Sequence, residues 1–318
     1  MKKIKISLIS TTYQEEKTIK RFVESILGQS RVPDEIVIVD SMSKDNTANI
    51  IKSFRSRKIR LIQKKSNISQ GRNLAIKNTK NPYVLLTDAG CILDKDWVKN
   101  MEKSFESGAE YVMGNFKPLS LNEKQRIMGW ISLQTEKKLA SDPYMASARS
   151  MGFKKYVWKK IGGFPEDLYT GEDTKFALAA KNLKFKAVFA KDSIVYWRPR
   201  DSLKKFIKQF YLYGFGDVKS KNVIKIWKRL AIFVAYTLGH VTIIFLLFLN
   251  PKIFLMLLLL YMLVLMILSI RWAFKKPINL ARFFTIPFLI YMQRVSYVAG
   301  VFSGFFNYKK PAKVRKFD

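Results

Sequence analysis

Apolar residues alternate at Ile4, Ile6 and Leu8 and then meet Ser10, Thr11 and Thr12, which predicts a strand ending in a polar loop. A helix follows from Glu15 to Leu27, because Ile19, Phe22, Val23, Ile26 and Leu27 share one face and Gly28 is placed to end it. Glu35 to Asp40 is a continuous apolar run closed by an acid, as in a strand buried on both faces of a parallel sheet. The alternation continues with a helix at Thr47 to Phe54, a strand at Ile59 to Gln63, a helix at Gln70 to Asn78 and a strand at Tyr83 to Thr87. Such βαβα succession predicts an α/β fold with a mostly parallel sheet, whose ligands gather outside the carboxyl ends of the strands, where Asp40 and Asp88 stand. After Trp97 the pattern gives a helix to Phe105 and a strand at Tyr111 to Met113; the stretch Leu119 to Ser150 carries no readable period. Order returns at Val157 to Gly163, followed by a helix from Asp173 to Lys181, strands at Phe185 to Phe189 and Ile194 to Trp197, and a basic helix from Ser202 to Tyr213. The Gly214-Phe215-Gly216 after it suggests a sharp bend.

The last third changes character. Leu230 to Leu249 and Ile253 to Ile270 are long enough to cross a hydrocarbon core of roughly 20 residues, and only Asn250, Pro251 and Lys252 separate them. Phe283 to Phe306 carries Gln293 and Arg294 near its centre, and a central Arg costs at least about 3 kcal/mol on insertion scales. Basic flanks at Lys225 to Arg229 and Arg271 to Lys276 place both ends of the hairpin in the cytoplasm, and a third full crossing would strand the basic tail, Lys309 to Lys316, on the other side. A third span or a re-entrant segment at 283–306 therefore both stay open. The expected organisation is a cytoplasmic catalytic domain over 1–217 and a membrane domain over 218–318, in a multi-pass protein of the cell membrane.

Charge sharpens this picture. The net charge of +33 invites a nucleic-acid reading, but much of the excess lies at Lys219, Lys221, Lys225, Lys228 and Arg229, beside the apolar runs, where an anionic bilayer is the fitting partner. No helix-turn-helix, zinc or RNA-binding motif accompanies it. Cys91 is the sole cysteine, so no intrachain disulfide can form, and Met1 to Ile9 lacks the apolar core of a signal peptide.

Three sites carry candidate chemistry. Asp40 ends a buried strand before Ser43, Asp45 and Thr47, and a strand-end carboxylate can accept hydrogen bonds from a nucleobase; Ser43 or Asp45 can equally serve as the cap of the next helix. Asp88 ends the next strand and is followed by Ala89 and Gly90, which leaves room for a diphosphate and one carboxylate for a divalent cation. Glu172 and Asp173 open a helix after Gly162-Gly163-Phe164-Pro165. The macrodipole stabilises acids there without any function, but the flexible loop before them and the aromatic, basic segment after them suit a carboxylate base at an acceptor cleft.

Together these elements resemble the family-2 glycosyltransferases of GT-A fold, from about Lys5 to Gly216. The opening Thr-Tyr-Asn-Glu-Glu of that family is here Thr12-Tyr13-Gln14-Glu15-Glu16, its base-reading acid falls on Asp40, its Ser-x-Asp-x-Thr on Ser43 to Thr47, and its Arg-Asn on Arg72-Asn73. The Asp-x-Asp becomes Asp88-Ala89-Gly90, one acid short, and the Gly-Gly-Phe followed by Glu-Asp places the general base at Asp173 beside Glu172. A further likeness, to exopolysaccharide-type members with an interfacial Gln-x-x-Arg-Trp, keeps Gln209 and puts Leu212 at the Arg position, with Tyr213 next.

The resemblance implies inverting transfer from a nucleotide-diphosphate-sugar to a lipid-linked or glycan acceptor at an anionic membrane. It implies donor contacts from Thr12, Tyr13, Glu15, Asp40, Arg72 and Asp88, Mg²⁺ or Mn²⁺ at Asp88, and acceptor or interface contacts from Gln209 and Tyr213. Two other readings compete. A nucleotidyltransferase would need a glycine-rich phosphate loop after the first strand, and Ser10 to Glu16 has no glycine; a catalytically silent nucleotide-sugar-binding membrane scaffold would account for the missing acid.

Overall fold

The computed structural model describes residues 4–119, 121–133, 136–144, 147–249 and 280–307, with a few positions between 252 and 263. These fall into two compact units, one from 1–120 and 134–199, the other from 121–133 and 200–308. The boundary expected at 217 lies inside a helix of the second unit.

In the first unit, β1 (Ile6–Thr12), β2 (Glu35–Asp40), β3 (Ile59–Gln63) and β4 (Tyr83–Leu86) pair in parallel, linked by α1 (Ile19–Leu27), α2 (Thr47–Ser53) and α3 (Ile68–Lys77). Then come β5 (Cys91–Leu93), α4 (Trp97–Glu106) and β6 (Tyr111–Pro118). The eight strands take the order β3-β2-β1-β4-β7-β6-β8-β5. In it β7 (Met151–Lys154) runs antiparallel to both β4 and β6, and β5 antiparallel to β8 (Ala187–Trp197). The sheet is thus mixed, with the nucleotide-fold half parallel as the apolar runs predict.

The two strands expected at 185–189 and 194–197 are one, β8. Its partner β6 jumps from Ala190 at Gly114 to Ile194 at Asn115, and that bulge takes up the polar Lys191, Asp192 and Ser193 that interrupt the pattern. Residues 136–141 form a short helix, α6 (Glu136–Ser141), and α7 (Lys155–Ile161) and α8 (Glu172–Asn182) complete the unit. The core lies around Val37, Val39, Leu86, Tyr111, Met113, Phe153, Phe164 and Phe176, all buried, with Phe164 stacked on Phe176 at 4.3 Å.

The second unit is helical: α5 (Glu123–Ser132), α9 (Leu203–Lys219), α10 (Val223–Leu249) and α11 (Leu280–Phe306). α9 does not bend at Gly214-Phe215-Gly216. A Cβ at Gly214 would overlap the Tyr297 carbonyl and one at Gly300 the Tyr211 carbonyl, so these glycines let α9 and α11 touch backbone to backbone. Tyr211 Oη and Ser303 Oγ, 2.6 Å apart, bridge the same crossing. At the other end Gln293 Nε2 donates to the Ile131 carbonyl at 3.2 Å, which gives that polar residue of α11 a partner in α5.

Among the described residues no helix is long and apolar enough to cross a membrane, so the spans expected at 230–249 and 283–306 have no support there. In 283–306 the polar Gln293 and Arg294 interrupt the apolar run, and one face of α11 packs on α5 and α9 through Ile286, Leu289, Tyr297 and Val301. The span expected at 253–270 lies largely outside the described residues.

Candidate functional site

The loop after β1 is bound rung by rung to the loop after β2. The Gln14 amide donates to Ser43 Oγ at 2.9 Å, the Glu15 amide to Thr47 Oγ1 at 2.9 Å and the Glu16 amide to Asp45 at 3.1 Å. Ser43, Asp45 and Thr47 thus hold the Tyr13 loop, which explains a spacing that helix capping alone does not. Burial works against Asp45's charge, yet bonds from Thr47 and the Glu16 amide hold its carboxyl below the usual range. Gln14 sits at φ +55°, in the left-handed region that Asn adopts more readily than Gln.

Ser43 also donates through its amide and hydroxyl to Asp40, and Gln63 adds a third bond at 3.3 Å. Asp40 is fully buried. Its carboxylate organises the loop after β2 through these three bonds. Tyr13 is exposed at that loop, and Thr12 is buried with a hydroxyl that lacks a partner among the described residues. The Glu15 carboxylate takes the Thr18 hydroxyl at the start of α1.

Arg72 joins the other acids. It lies on α3, buried, with Nη1 2.7 Å from Glu172 Oε1 and Nη2 3.1 Å from Asp88 Oδ1, and its guanidinium rests over the Phe164 ring at 5.5 Å. A strand end and a helix start, 84 positions apart in the chain, thereby meet through one cation. Burial works against the Arg72 charge, but Glu172, Asp88 and Asp173 outweigh it and its proton is held more firmly. For Glu172, burial and then the Asp173 charge push the carboxyl up to about 7 against the pull of Arg72. Glu172 is locked in this pair, whereas Asp173 is part-exposed and accepts from the Ala148 amide at 3.3 Å. Beneath it the Tyr111 hydroxyl is buried without a partner among the described residues, and burial with the Asp173 charge raises its pKa.

Asn73, beside Arg72, is the residue whose use the chain alone did not reveal. Its Oδ1 accepts from Trp158 Nε1 and the Phe164 amide, both at 2.9 Å; its Nδ2 donates to the Phe164 carbonyl and to Glu166, both at 2.8 Å. Gly163 faces this amide at φ +90°, a conformation that favours glycine. The Arg72-Asn73 pair thus fixes both the loop and the acids that follow it.

Asp88 is 40% exposed, and among the described residues one of its carboxylate oxygens is engaged, by Arg72. Gly90 adds no side-chain oxygen, and among the described residues no group of three His, Cys, Asp or Glu could hold a metal. The donor set fits a cation that takes one protein oxygen and the rest from a ligand. Gln209, expected at the acceptor interface, is buried, with its amide engaged by Arg200 Nε at 3.2 Å and the Tyr213 hydroxyl at 2.8 Å.

Comparison with known proteins bears on the family and the fold. Residues 99–295 match the model described as Glycosyl transferase family group 2, and residues 7–160 the one described as Glycosyl transferase family 2. The O-antigen chain rhamnosyltransferase RfbN of Salmonella typhimurium is 24% identical over 221 residues, covering 64% of this chain and 70% of its own. The mannosyltransferase PcManGT from Pyrobaculum calidifontis, in complex with GDP-Man and Mn²⁺, superposes with a TM-score of 0.68 at 14% identity, over 95% of this chain and 87% of that one. S. aureus TarS 1-349 in complex with UDP-GlcNAc gives 0.52 at 21% identity, over 67% of this chain and 66% of that one. At such identities the two structures speak for the fold.

Proposed function

We propose that this chain, which belongs to the family-2 glycosyltransferases, transfers a sugar from a nucleotide-diphosphate-sugar to a lipid-linked or glycan acceptor with inversion at the anomeric carbon. The observation that carries the reading is the Arg72 node, which brings Asp88 and the Glu172-Asp173 helix start into one site. The donor lies along the strand ends, its base against exposed Tyr13 on the loop that Asp40, Ser43 and Thr47 hold, with Thr12 and Glu15 shaping the same edge. Asp173 takes the proton of an acceptor hydroxyl. The oxygen freed of that proton attacks the anomeric carbon as the bond from that carbon to the diphosphate oxygen breaks, and a single displacement inverts the centre. The nucleoside diphosphate leaves with the bonding pair.

Arg72 contributes a fixed positive charge near Asp88, already oriented before charge develops on the leaving group. Asp88 would hold Mg²⁺ or Mn²⁺ through its open oxygen; when bound, the cation supplies Lewis-acid stabilisation of the diphosphate. Excess chelator should therefore abolish transfer, and full activity in chelator contradicts any part for a cation. RfbN acts on an O-antigen chain by its name, and a surface glycan or its lipid-linked precursor is the acceptor class proposed here.

The second unit serves as the membrane attachment in this proposal, with catalysis on the cytoplasmic side. Val234, Leu238, Val241 and Phe245 on α10 are exposed and recur every three to four residues, so they form one apolar stripe, continued at Trp227. Lys219, Lys221 and Lys228 precede or flank it, each favouring an anionic surface by about 1 kcal/mol, while Lys225 and Arg229 are drawn into a cluster with Asp217 and Tyr297. The reading is tested by Asp173→Asn: transfer should fall by about 10²–10⁴ while affinity for the donor stays within a few-fold of the wild type. Near-normal turnover by the purified variant removes Asp173 as the base.

A further inference from the structure

The turn 147–150, which leads into β7, carries one part-exposed side chain, Arg149, among buried Ser147, Ala148 and Ser150. Three bonds pin the turn: the Gly114 amide donates to the Ser150 carbonyl at 2.9 Å, Trp97 Nε1 to Ser150 Oγ at 2.8 Å, and the Ala148 amide to Asp173 at 3.3 Å. The Arg149 guanidinium lies over the Trp197 ring at 4.6 Å and the Phe116 ring at 5.6 Å, with Nη1 3.4 Å from Ser147 Oγ. Trp197 in turn pairs in register with Cys91, whose amide donates to the Asp88 carbonyl at 3.0 Å. Arg149 is thus held between the Asp88 turn and the contact to Asp173. The Cys91 thiol feels both charges: burial and then Asp88 push it up, to about 12, against the opposing pull of Arg149.

The charge of the site calls for such a cation. Asp88, Glu172 and Asp173 all act on Arg72, and even with Glu172 protonated the other two outnumber it. Arg72 is 1% exposed with both Nη atoms turned to carboxylates, so it lends a ligand charge but no donor surface. The Asp88-Ala89-Gly90 turn has one acid, and a divalent cation held by one protein oxygen leaves more of a diphosphate's charge to side chains. A guanidinium lying over rings directs its donors outward in its own plane, the geometry that meets two phosphate oxygens at once.

We propose that Arg149 is a catalytic residue of the transfer: its guanidinium hydrogen-bonds the donor's diphosphate and steadies the oxygen that keeps the bonding pair as the anomeric bond breaks. The proposal rests on the glycosyltransferase reading, and Arg149 belongs to none of the motifs by which the chain resembles that family.

The full chain in neutral-detergent micelles is titrated with UDP, GDP, CDP, ADP and dTDP, and with the nucleoside of whichever diphosphate binds. The nucleoside reports the base and sugar alone, so the difference reports the phosphates. Arg149→Met, which keeps an apolar stem over both rings, should weaken the diphosphate by about tenfold or more, the scale of one charge-assisted hydrogen bond, and leave the nucleoside within about twofold. Its kcat at saturating donor should fall by at least about tenfold, because the bond strengthens as charge develops on the leaving oxygen. Arg149→Lys, which keeps the charge but not the paired donors, should lie between the two. An unchanged diphosphate affinity, an equal loss of the nucleoside, or normal kcat overturns the proposal. If Arg149→Met does not fold, Arg149→Lys decides, and wild-type diphosphate affinity in it overturns the proposal. A wild type that binds none of these diphosphates overturns the glycosyl-transfer reading, and the proposal with it.

Discussion

Each unit buries a carboxylate against a cation, and the two clusters are built to opposite ends. In the second unit both oxygens of Asp217 are engaged, by Tyr297 Oη at 2.7 Å, Lys225 Nζ at 2.9 Å and Asn222 Nδ2 at 3.4 Å. Arg229 closes the cluster over the Tyr297 ring at 4.5 Å. In the first unit the Arg72 node is unfinished. Its Nε is buried without a partner among the described residues, Asp88 keeps one oxygen open, and Asp173 extends the acids toward solvent. A closed cluster tethers helices; an open one holds charge in place for a ligand that completes it.

Substitutions can break this contrast. The largest effect should come from Arg72→Met, which leaves Glu172 buried beside Asp88 and Asp173 with no cation. It should destabilise by about 3–5 kcal/mol and abolish transfer, measured by thermal unfolding and by turnover of whatever protein remains folded. Asp217→Asn should cost about 1–3 kcal/mol in the same unfolding assay and leave UDP and GDP affinity unchanged. If it weakens nucleotide binding, the closed cluster is not merely a tether. Gly300→Ala should cost a similar 1–3 kcal/mol, because the new methyl overlaps the Tyr211 carbonyl. A neutral result would mean that α9 and α11 can part.

The smallest effect concerns pH. Because the Glu172 carboxyl is raised, the folded protein binds a proton there that the unfolded chain has already lost between the ordinary value of 4.5 and about 7. The stability this group contributes is therefore present below 4.5 and lost as pH rises through about 7. The thermal midpoint of the wild type should fall with pH across that window relative to Glu172→Gln. Parallel curves would show that Glu172 is ionised throughout.

Legibility followed locality. β2 and β3 end where their apolar runs end, and Asp40, Asp88 and Asp173 stand out because an acid closing a strand or opening a helix is a local signal. β7 was not readable: Met151-Gly152-Phe153-Lys154 is too short to show a period and is a strand because β4 and β6 flank it. Gly214 and Gly216 read as a bend because glycine permits one, whereas the absent Cβ at Gly214 serves a contact with a helix some 80 residues on. Arg72 could be found by motif, but its two bonds reach 16 and 100 positions along the chain, and no pattern in a single sequence reports such a pairing. Asp40 shows the reverse, a local signal whose three bonds to Ser43 and Gln63 lie within or close to its own loop.

The central claim, that the open node performs glycosyl transfer, is tested most directly by mass spectrometry of lipid extract incubated with the full chain and a panel of nucleotide sugars. The account predicts that at least one sugar yields a lipid-linked or glycan product heavier by one glycosyl unit, with release of the nucleoside diphosphate, and that Asp173→Asn forms none of it. Nucleotide sugars that bind yet are never consumed would contradict the account and favour a silent scaffold.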